Sequence, residues 1–335
     1  MTFETREPIS PNSCHLVAEF GEALLVPVSC IVLNFLRCNP AKFLPMYFML
    51  TIASWKFQIF PRKIGLFFGR LLGDLVYFLL PFRKSYAGKN LEIAFPDWTA
   101  AKRKKVLRNC YQHFGMVLVD VLRMPKFKRK NDQKTVRIPQ ETIDLCRSHN
   151  GGILLSAHIG NWEFLGPALG LHKIKIAGVT RVQRNSKSDT YFNEMRSSET
   201  VKTIPFNAGG KVMVKAIKEG YFLGLISDQN AGGKGTPADF FTQKVSVPKG
   251  AAVFHLKTNT PILLGFCILS KDLNYDLSFQ ELDVKGLPDN SEEAIIEINR
   301  RYTAILETVV RNHPQQYFWF HRKYNLGNYK GLSRF

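Results

Sequence analysis

Acidic residues are scarce in this chain: 27 Asp plus Glu stand against 46 Lys plus Arg among 335 residues, a formal charge of +19. That shortage points to a negatively charged partner, either a polyanion or an anionic membrane surface. Paired cysteines are missing as well. Cys14, Cys30, Cys38, Cys110, Cys146 and Cys267 form no CxxC pair and no regular spacing, so the sequence supports neither a disulfide framework nor a zinc knuckle, and the six read as buried free thiols. The GxSxG elbow, the GxxxxGK[ST] loop, GxGxxG and HExxH are all absent, which removes the common serine-hydrolase, phosphate-loop, dinucleotide and zinc-protease readings. With no low-complexity tract and no repeat visible, disorder and solenoids are excluded too.

A long apolar run is also lacking. The stretches 23–36 and 43–55 are each shorter than the ~20 residues that a straight spanning helix needs, and Arg37, Cys38, Asn39, Pro40 and Lys42 separate them. The first twelve residues set Glu4 and Glu7 around Arg6, with no basic lead before the apolar stretch, which argues against a secretory signal and for retention on the cytoplasmic side. From Pro61, Ile64, Phe67, Phe68, Leu71, Leu72, Leu75, Val76 and Leu79 recur at helical spacing, flanked by Arg62, Lys63, Arg83 and Lys84. That is the build of an interfacial helix, the alternative being an amphipathic helix inside the domain. The expected division is an N-terminal membrane-attachment segment over 1–60 and a catalytic domain over 61–335.

What is present is a globular pattern. Val106, Leu107, Cys110, Tyr111, Phe114, Val117, Leu118, Val121 and Leu122 mark one long amphipathic helix. The basic run 126–134 that follows reads as a loop, either solvated or touching phosphate headgroups. Short β-like runs then appear at 153–157, 174–179, 201–205, 222–226 and 261–268, separated by helix-like runs at 141–148, 211–219 and 250–257. Such alternation predicts an α/β fold with a mostly parallel sheet flanked by helices. A last helix is expected from an N-cap near Ser291 to Pro314. The block Phe318, Trp319, Phe320, His321, Arg322, Lys323 reads equally as a core strand with a basic exit or as aromatics that stack on nucleic-acid bases.

The chemistry concentrates in GGILLSAHIGNWEFLG. A buried strand runs out at His158 into a Gly160 turn, which places the imidazole where parallel sheets bind ligands. Glu163 lies five residues on, about 140° around a continuous helix from His158. Only a strand-to-helix turn folds it back beside the ring, where its carboxylate would accept one N–H and leave the other nitrogen as general base. Asp228 and Gln229 end another apolar strand at the same sheet edge, followed by a Gly-rich loop at 232–235.

These blocks together resemble a known family. SAHIGNWEFLG, preceded by KNLEIAFPDWT and followed by ISDQN, DFF, VSVPKGAAV and YFWFHRKYN, is similar to the late lipid A acyltransferases, a branch of the superfamily with an HxxxxD/E signature and a glycerolipid acyltransferase-like fold. The similarity spans about 64–324. It implies transfer of a fatty acyl group from an acyl-carrier-protein or coenzyme A thioester to a hydroxyl of an anionic sugar-lipid acceptor. The setting it implies is the cytoplasmic face of the cell inner membrane, with His158 as base and Glu163 as its orienter. By position it implies that Arg196 stabilises the oxyanion and that Arg181 contacts a headgroup phosphate, which Arg184 could share; Asp228 and Gln229 are substrate-binding candidates from their own place at the strand end. Thr180 and Val182 stand where the family's block around that arginine has Tyr and Pro. No metal or cofactor is expected. The same fold acting on another membrane glycolipid or phospholipid is the competing reading. A nucleic-acid partner is not expected, because only the charge supports one.

Overall fold

In a computed structural model the described residues are 43–80, 83–130, 132, 134–181 and 186–332. The run 23–36, Cys14, Cys30, Cys38 and Arg184 lie outside them. Five helices come first: α1 (Phe43–Ile59), α2 (Arg62–Leu79), α3 (Lys84–Ala94), α4 (Ala100–Leu122) and α5 (Met124–Lys130). After strand β1 (Val136–Arg137) and α6 (Gln140–Arg147) the alternation begins: β2 (Gly152–Ser156), α7 (Leu165–Leu171), β3 (Ile176–Thr180), α8 (Ser186–Arg196), β4 (Val201–Pro205), α9 (Gly210–Lys218) and β5 (Phe222–Ile226). A hairpin of β6 (Thr236–Phe240) and β7 (Gln243–Val247), then α10 (Gly250–Thr258), β8 (Ile262–Leu269), β9 (Tyr275–Glu281) and α11 (Ser291–Asn312) complete the body.

The main sheet has the order β1-β9-β8-β2-β5-β3-β4, and every pair is parallel except β8 with β9. This is the expected mostly parallel α/β architecture, and all five residues of β2 are buried in its centre. Parallel strands covered on both faces read as short continuous apolar runs, which is why β2, β3, β4, β5 and β8 were visible in the sequence and the two-residue β1 was not. The hairpin β6–β7 and the antiparallel β9 were not anticipated, since their alternating, half-exposed patterns carry weaker signals. Asn290, not Ser291, caps α11 by accepting from the Glu292 amide.

Two readings are corrected. The run 126–134 is not simply a loop: its first part is the helix α5, in which Lys126 and Lys128, with Arg123 just ahead of the run, are bonded to backbone carbonyls. Arg123 and Lys126 donate to the carbonyls of Phe57, Phe60 and Gln58 at the C-terminal end of α1, while Lys128 reaches the carbonyls of Glu194 and Ser197 near the end of α8. Cations are stabilising there because the last turn of a helix leaves carbonyls unpaired. The aromatic block at 317–320 is buried but forms no strand; Tyr317 makes one isolated bridge to Ile159.

Helix α2 presents two unlike faces. Its glycine face meets α4 so closely that a Cβ on Gly69 would stand 2.7 Å from the Gly115 carbonyl oxygen, and one on Gly73 2.3 Å from that of Tyr111. Its other face leaves Ile64, Phe67, Phe68, Leu71, Leu72 and Leu75 exposed, continuous in kind with Phe48, Ile52 and Trp55 of α1. At the start of α2, Arg62 grips Asp120 of α4 at 2.7 and 2.8 Å, and Tyr275 of β9 donates to the same carboxylate at 3.0 Å. Helix α1 is joined to the body in turn, Ser54 Oγ donating to the Leu122 carbonyl at 2.6 Å. Among the described residues no single helix is long and apolar enough to cross a membrane.

Candidate active site

His158 follows the C-terminal end of β2, and the turn after it is fixed by sterics. Gly160 has φ 60°, and a Cβ there would fall 1.9 Å from the Cys267 carbonyl oxygen, so only glycine fits. The backbone is laced to its neighbours: Gly160 N donates to Gln316 O at 3.0 Å, Asn161 N to Cys267 O at 2.8 Å, and Phe318 N to His158 O at 2.8 Å. His113 of α4 contacts the Gly160 carbonyl through Nε2 at 3.1 Å; burial lowers this imidazole to about 4, so it is neutral and donates. Asn90 of α3 donates to the carbonyls of Trp319 and His321 at 2.6 and 2.7 Å, which ties the KNLEIAFPDWT and YFWFHRKYN blocks together behind the turn.

The ring partner of His158 is Asp228, not Glu163. His158 Nδ1 lies 2.6 Å from Asp228 Oδ1, and both side chains are fully buried. Burial pushes the Asp228 carboxyl up, but the hydrogen bond from His158 and the nearby Lys323 ammonium outweigh it and hold the carboxyl below the usual carboxylate range. A carboxylate only accepts, so Nδ1 carries the proton and Nε2 presents a lone pair. Nε2 is buried and has no hydrogen-bond partner among the described residues. That is the arrangement of a general base oriented by a carboxylate, without a serine.

Glu163 is turned elsewhere. The segment after Gly160 begins as a 3₁₀ turn, Trp162–Phe164, before α7, and this tighter winding directs Glu163 to Arg196 at the end of α8. The pair is bidentate, at 2.7 and 2.8 Å. The expected His158/Glu163 contact is therefore replaced by two separate pairs. The Trp162 ring stands edge-on to the imidazole, with centroids 4.8 Å apart.

Trp162, Glu163 and Arg196 also line a cavity of about 100 Å³ between α7 and the sheet. Its walls are Leu154, Leu165, Ile176, Val201 and Ile226, and its floor is glycine: Gly178 of β3 and Gly224 of β5 are register partners on adjacent strands. A Cβ on Gly178 would meet nothing nearer than the Lys202 carbonyl oxygen at 4.0 Å. Glycine inside a strand costs roughly 0.5–1 kcal/mol relative to alanine and often marks a place where a ligand approaches closely. The slot is apolar along its length, with Arg181, Thr180, Arg196 and Glu163 among the polar groups lining it.

Of the remaining expected residues, Arg181 is exposed just after β3, and Gln229 is buried beside Asp228 with its Nε2 unpaired. Asp228 was placed with the substrate in the sequence reading and is instead bonded to the imidazole. His113, Asn90, His321 and Lys323 were not anticipated as parts of the site, because nothing in their local spacing distinguishes them from core polar residues. Among the described residues no group of three or more His, Cys, Asp or Glu side chains is placed to hold a metal ion. Cys110, Cys146 and Cys267 are buried free thiols, and burial pushes Cys146 up to about 11 and the other two further.

Over residues 39–325 the sequence matches the bacterial lipid A biosynthesis acyltransferase family. The chain belongs to that family. As a lipid A acyltransferase relative it is 23% identical over 274 residues to a lipid A biosynthesis palmitoleoyltransferase of Escherichia coli (strain K12), covering 81% of this chain and 88% of that protein. It is also 24% identical over 268 residues to a lipid A biosynthesis lauroyltransferase of the same organism, covering 76% and 82%. A lipid A biosynthesis acyltransferase 2 of Shigella flexneri is 24% identical over 270 residues, covering 77% and 80%. For this acyltransferase an apolar slot and a buried imidazole with one free nitrogen have an obvious chemistry to serve.

Proposed function

We propose that the protein transfers a fatty acyl group from an acyl thioester, carried by acyl carrier protein or coenzyme A, to a hydroxyl of a lipid A precursor. The observation that carries the reading is the His158–Asp228 pair: a neutral imidazole oriented through Nδ1 with Nε2 unpaired is built to take a proton from a hydroxyl. In the proposed reaction the hydroxyl oxygen attacks the thioester carbonyl as its proton passes to Nε2. The tetrahedral intermediate then collapses with loss of the thiolate, which recovers that proton. The fatty chain lies in the glycine-floored slot, and the Glu163–Arg196 pair beside it faces the developing oxyanion. Arg181 meets a phosphate of the acceptor. Glu163 acts through Arg196 in this scheme and not on the imidazole.

The exposed face of α2 and α1 supplies the membrane contact, with the active site on the cytoplasmic side of the inner membrane. Six large apolar side chains on one helical face, each about half exposed and so worth roughly half of the 1.5–3 kcal/mol that full burial brings, favour lipid over water.

The test is transfer from defined acyl thioesters to a purified lipid A precursor, read by mass spectrometry of the product. His158→Ala and Asp228→Asn are expected to lower the rate by roughly 10²–10⁴-fold while the circular dichroism stays native. A folded His158→Ala enzyme of near-normal rate overturns the mechanism, and transfer to other membrane lipids but not to the lipid A precursor overturns the acceptor.

A further inference from the structure

Behind the His158–Asp228 pair lies a buried cation that the reaction as described does not use. Lys323 is 1% exposed, and its ammonium donates to the backbone carbonyl of Asp228. Its own carbonyl accepts from Asn230 at 3.2 Å, and its Nζ stands 4.6 Å from the ring centre of Phe240. The lysine is thus held in place from both ends, next to the strand exit that carries Asp228.

A fully buried carboxylate needs a compensating positive charge, since an unpaired ion in the interior is costly. His158 cannot supply it and remain a base, because an imidazolium has no lone pair left for the hydroxyl proton. His321 does not supply it either. Its Nδ1 is 2.8 Å from the Phe318 carbonyl, its buried Nε2 has no acceptor, and burial lowers the ring to about 3. The phenols of Tyr302, Tyr317 and Tyr324 are pushed well above their ordinary range by burial and remain neutral. Among the groups that bear on Asp228, Lys323 is left.

We propose that Lys323 is a positioning residue for acyl transfer, its buried ammonium being the counter-charge that lets Asp228 stay ionised while His158 stays neutral. The proposal rests on the reading of His158 as general base. Burial lowers the ammonium to about 8, with the Asp228 charge working against the fall, so it is charged at neutral pH. Remove that charge and the cheapest remedy is a proton on the imidazole–carboxylate pair, which turns the base into an imidazolium ion pair.

The readout is the pH dependence of kcat/KM across the range where imidazole titrates, about pH 5–8 and above, for the full chain with an acyl-carrier-protein thioester and a lipid A precursor. Lys323→Met removes charge and hydrogen bond, Lys323→Gln keeps a donor without charge, and Lys323→Arg keeps the charge. Loss of one neighbouring opposite charge typically moves a titration by about 1–3 units. The acid limb is expected to shift upward by at least about one unit in both Met and Gln variants, with the rate recovering at alkaline pH, and to stay near the wild-type position in the Arg variant. An unmoved limb with a uniformly lower plateau, or a Gln variant with the wild-type profile, reduces Lys323 to packing and overturns the proposal; so does a folded Met variant inactive at every pH. Should Met not fold, the Gln variant decides. Failure of the base reading itself is seen separately, as activity retained in His158→Ala.

Discussion

Arg196 holds both carboxylate oxygens of Glu163, Nε at 2.7 Å and Nη2 at 2.8 Å, beside the slot. The Glu163 side chain is 6% exposed and that of Arg196 15%, so removing either partner strands a charge in a poorly hydrated place. Breaking a buried pair from one side costs about 3–5 kcal/mol, and partial exposure puts this pair toward the lower figure. Arg196→Ala should therefore lower the melting temperature, and Glu163→Ala/Arg196→Ala should recover part of the loss while remaining poor in transfer. Calorimetry of the single and double variants checks the coupling; a double variant no more stable than Arg196→Ala would show that the two charges do not depend on each other.

Gly178 and Gly224 leave the slot open at mid-depth, about 7 Å down the strands from Thr180 and Ile226 by the rise of two residues. A side chain at 178 finds room only in that space. Gly178→Val is expected to move the preferred donor several carbons shorter, with the rate on short chains kept within about tenfold of wild type, because the added bulk is remote from His158. Competition between thioesters of graded length measures it. An equal loss at every length would mean that the chain lies elsewhere.

The acyltransferase sheet was legible because buried parallel strands are short, apolar and bounded by turns: the runs around 153, 201, 222 and 262 coincide with β2, β4, β5 and β8 to within a residue or two. The place of His158 past the end of a buried strand was legible for the same reason, though it was the resemblance of the SAHIGNWEFLG block that singled it out as a candidate base. Its partner was not legible. Glu163 and Asp228 are both acidic residues near strand ends, and five residues of chain separate one from His158 while seventy separate the other. What decides between them is a 3₁₀ turn at Trp162–Phe164 and the pull of Arg196, neither of which leaves a mark in spacing. The basic run 126–134 misled in a different way, since charges that suit a lipid headgroup suit the carbonyls at a helix end equally well.

Acid should unfold the protein in a defined window. His113 and His321 are lowered to about 4 and about 3 in the folded state, against ~6.5 in an unfolded chain. Between those values the unfolded state binds protons that the folded state refuses, so the contribution of these two rings to stability is full above about pH 6.5 and is lost as pH drops toward 4 and 3. Urea midpoints measured from neutral pH downward should decline through this range. His113→Gln, which keeps a donor for the Gly160 carbonyl but does not titrate, should flatten the decline; an unchanged slope would remove His113 from the account.

Membrane binding through α2 makes a prediction that charge alone does not. Phe67→Glu/Leu71→Glu places two carboxylates on the exposed face without touching the glycine face that meets α4. The variant should fold and should wash from anionic vesicles in about 1 M salt, where screening leaves only apolar attachment. Wild-type protein should remain bound. Release of both to the same extent would assign the attachment to the basic surface.

The glycine contact between α2 and α4 has a geometric consequence. With Gly69 and Gly73 seated against the backbone of Gly115 and Tyr111, and Arg62 locked to Asp120 and Tyr275, the helix with the exposed apolar face cannot slide or tilt independently of the sheet whose strand ends lead into His158 and Asp228. In the proposed membrane docking the imidazole rides at a constant altitude above the acyl boundary. Hydroxyls of a sugar lipid lie at different heights in a leaflet, and an enzyme docked in this way selects among them as a calliper does, by elevation before shape. Gly115→Ala, which wedges the two helices apart, should blur which hydroxyl is acylated in proteins that still fold and still bind.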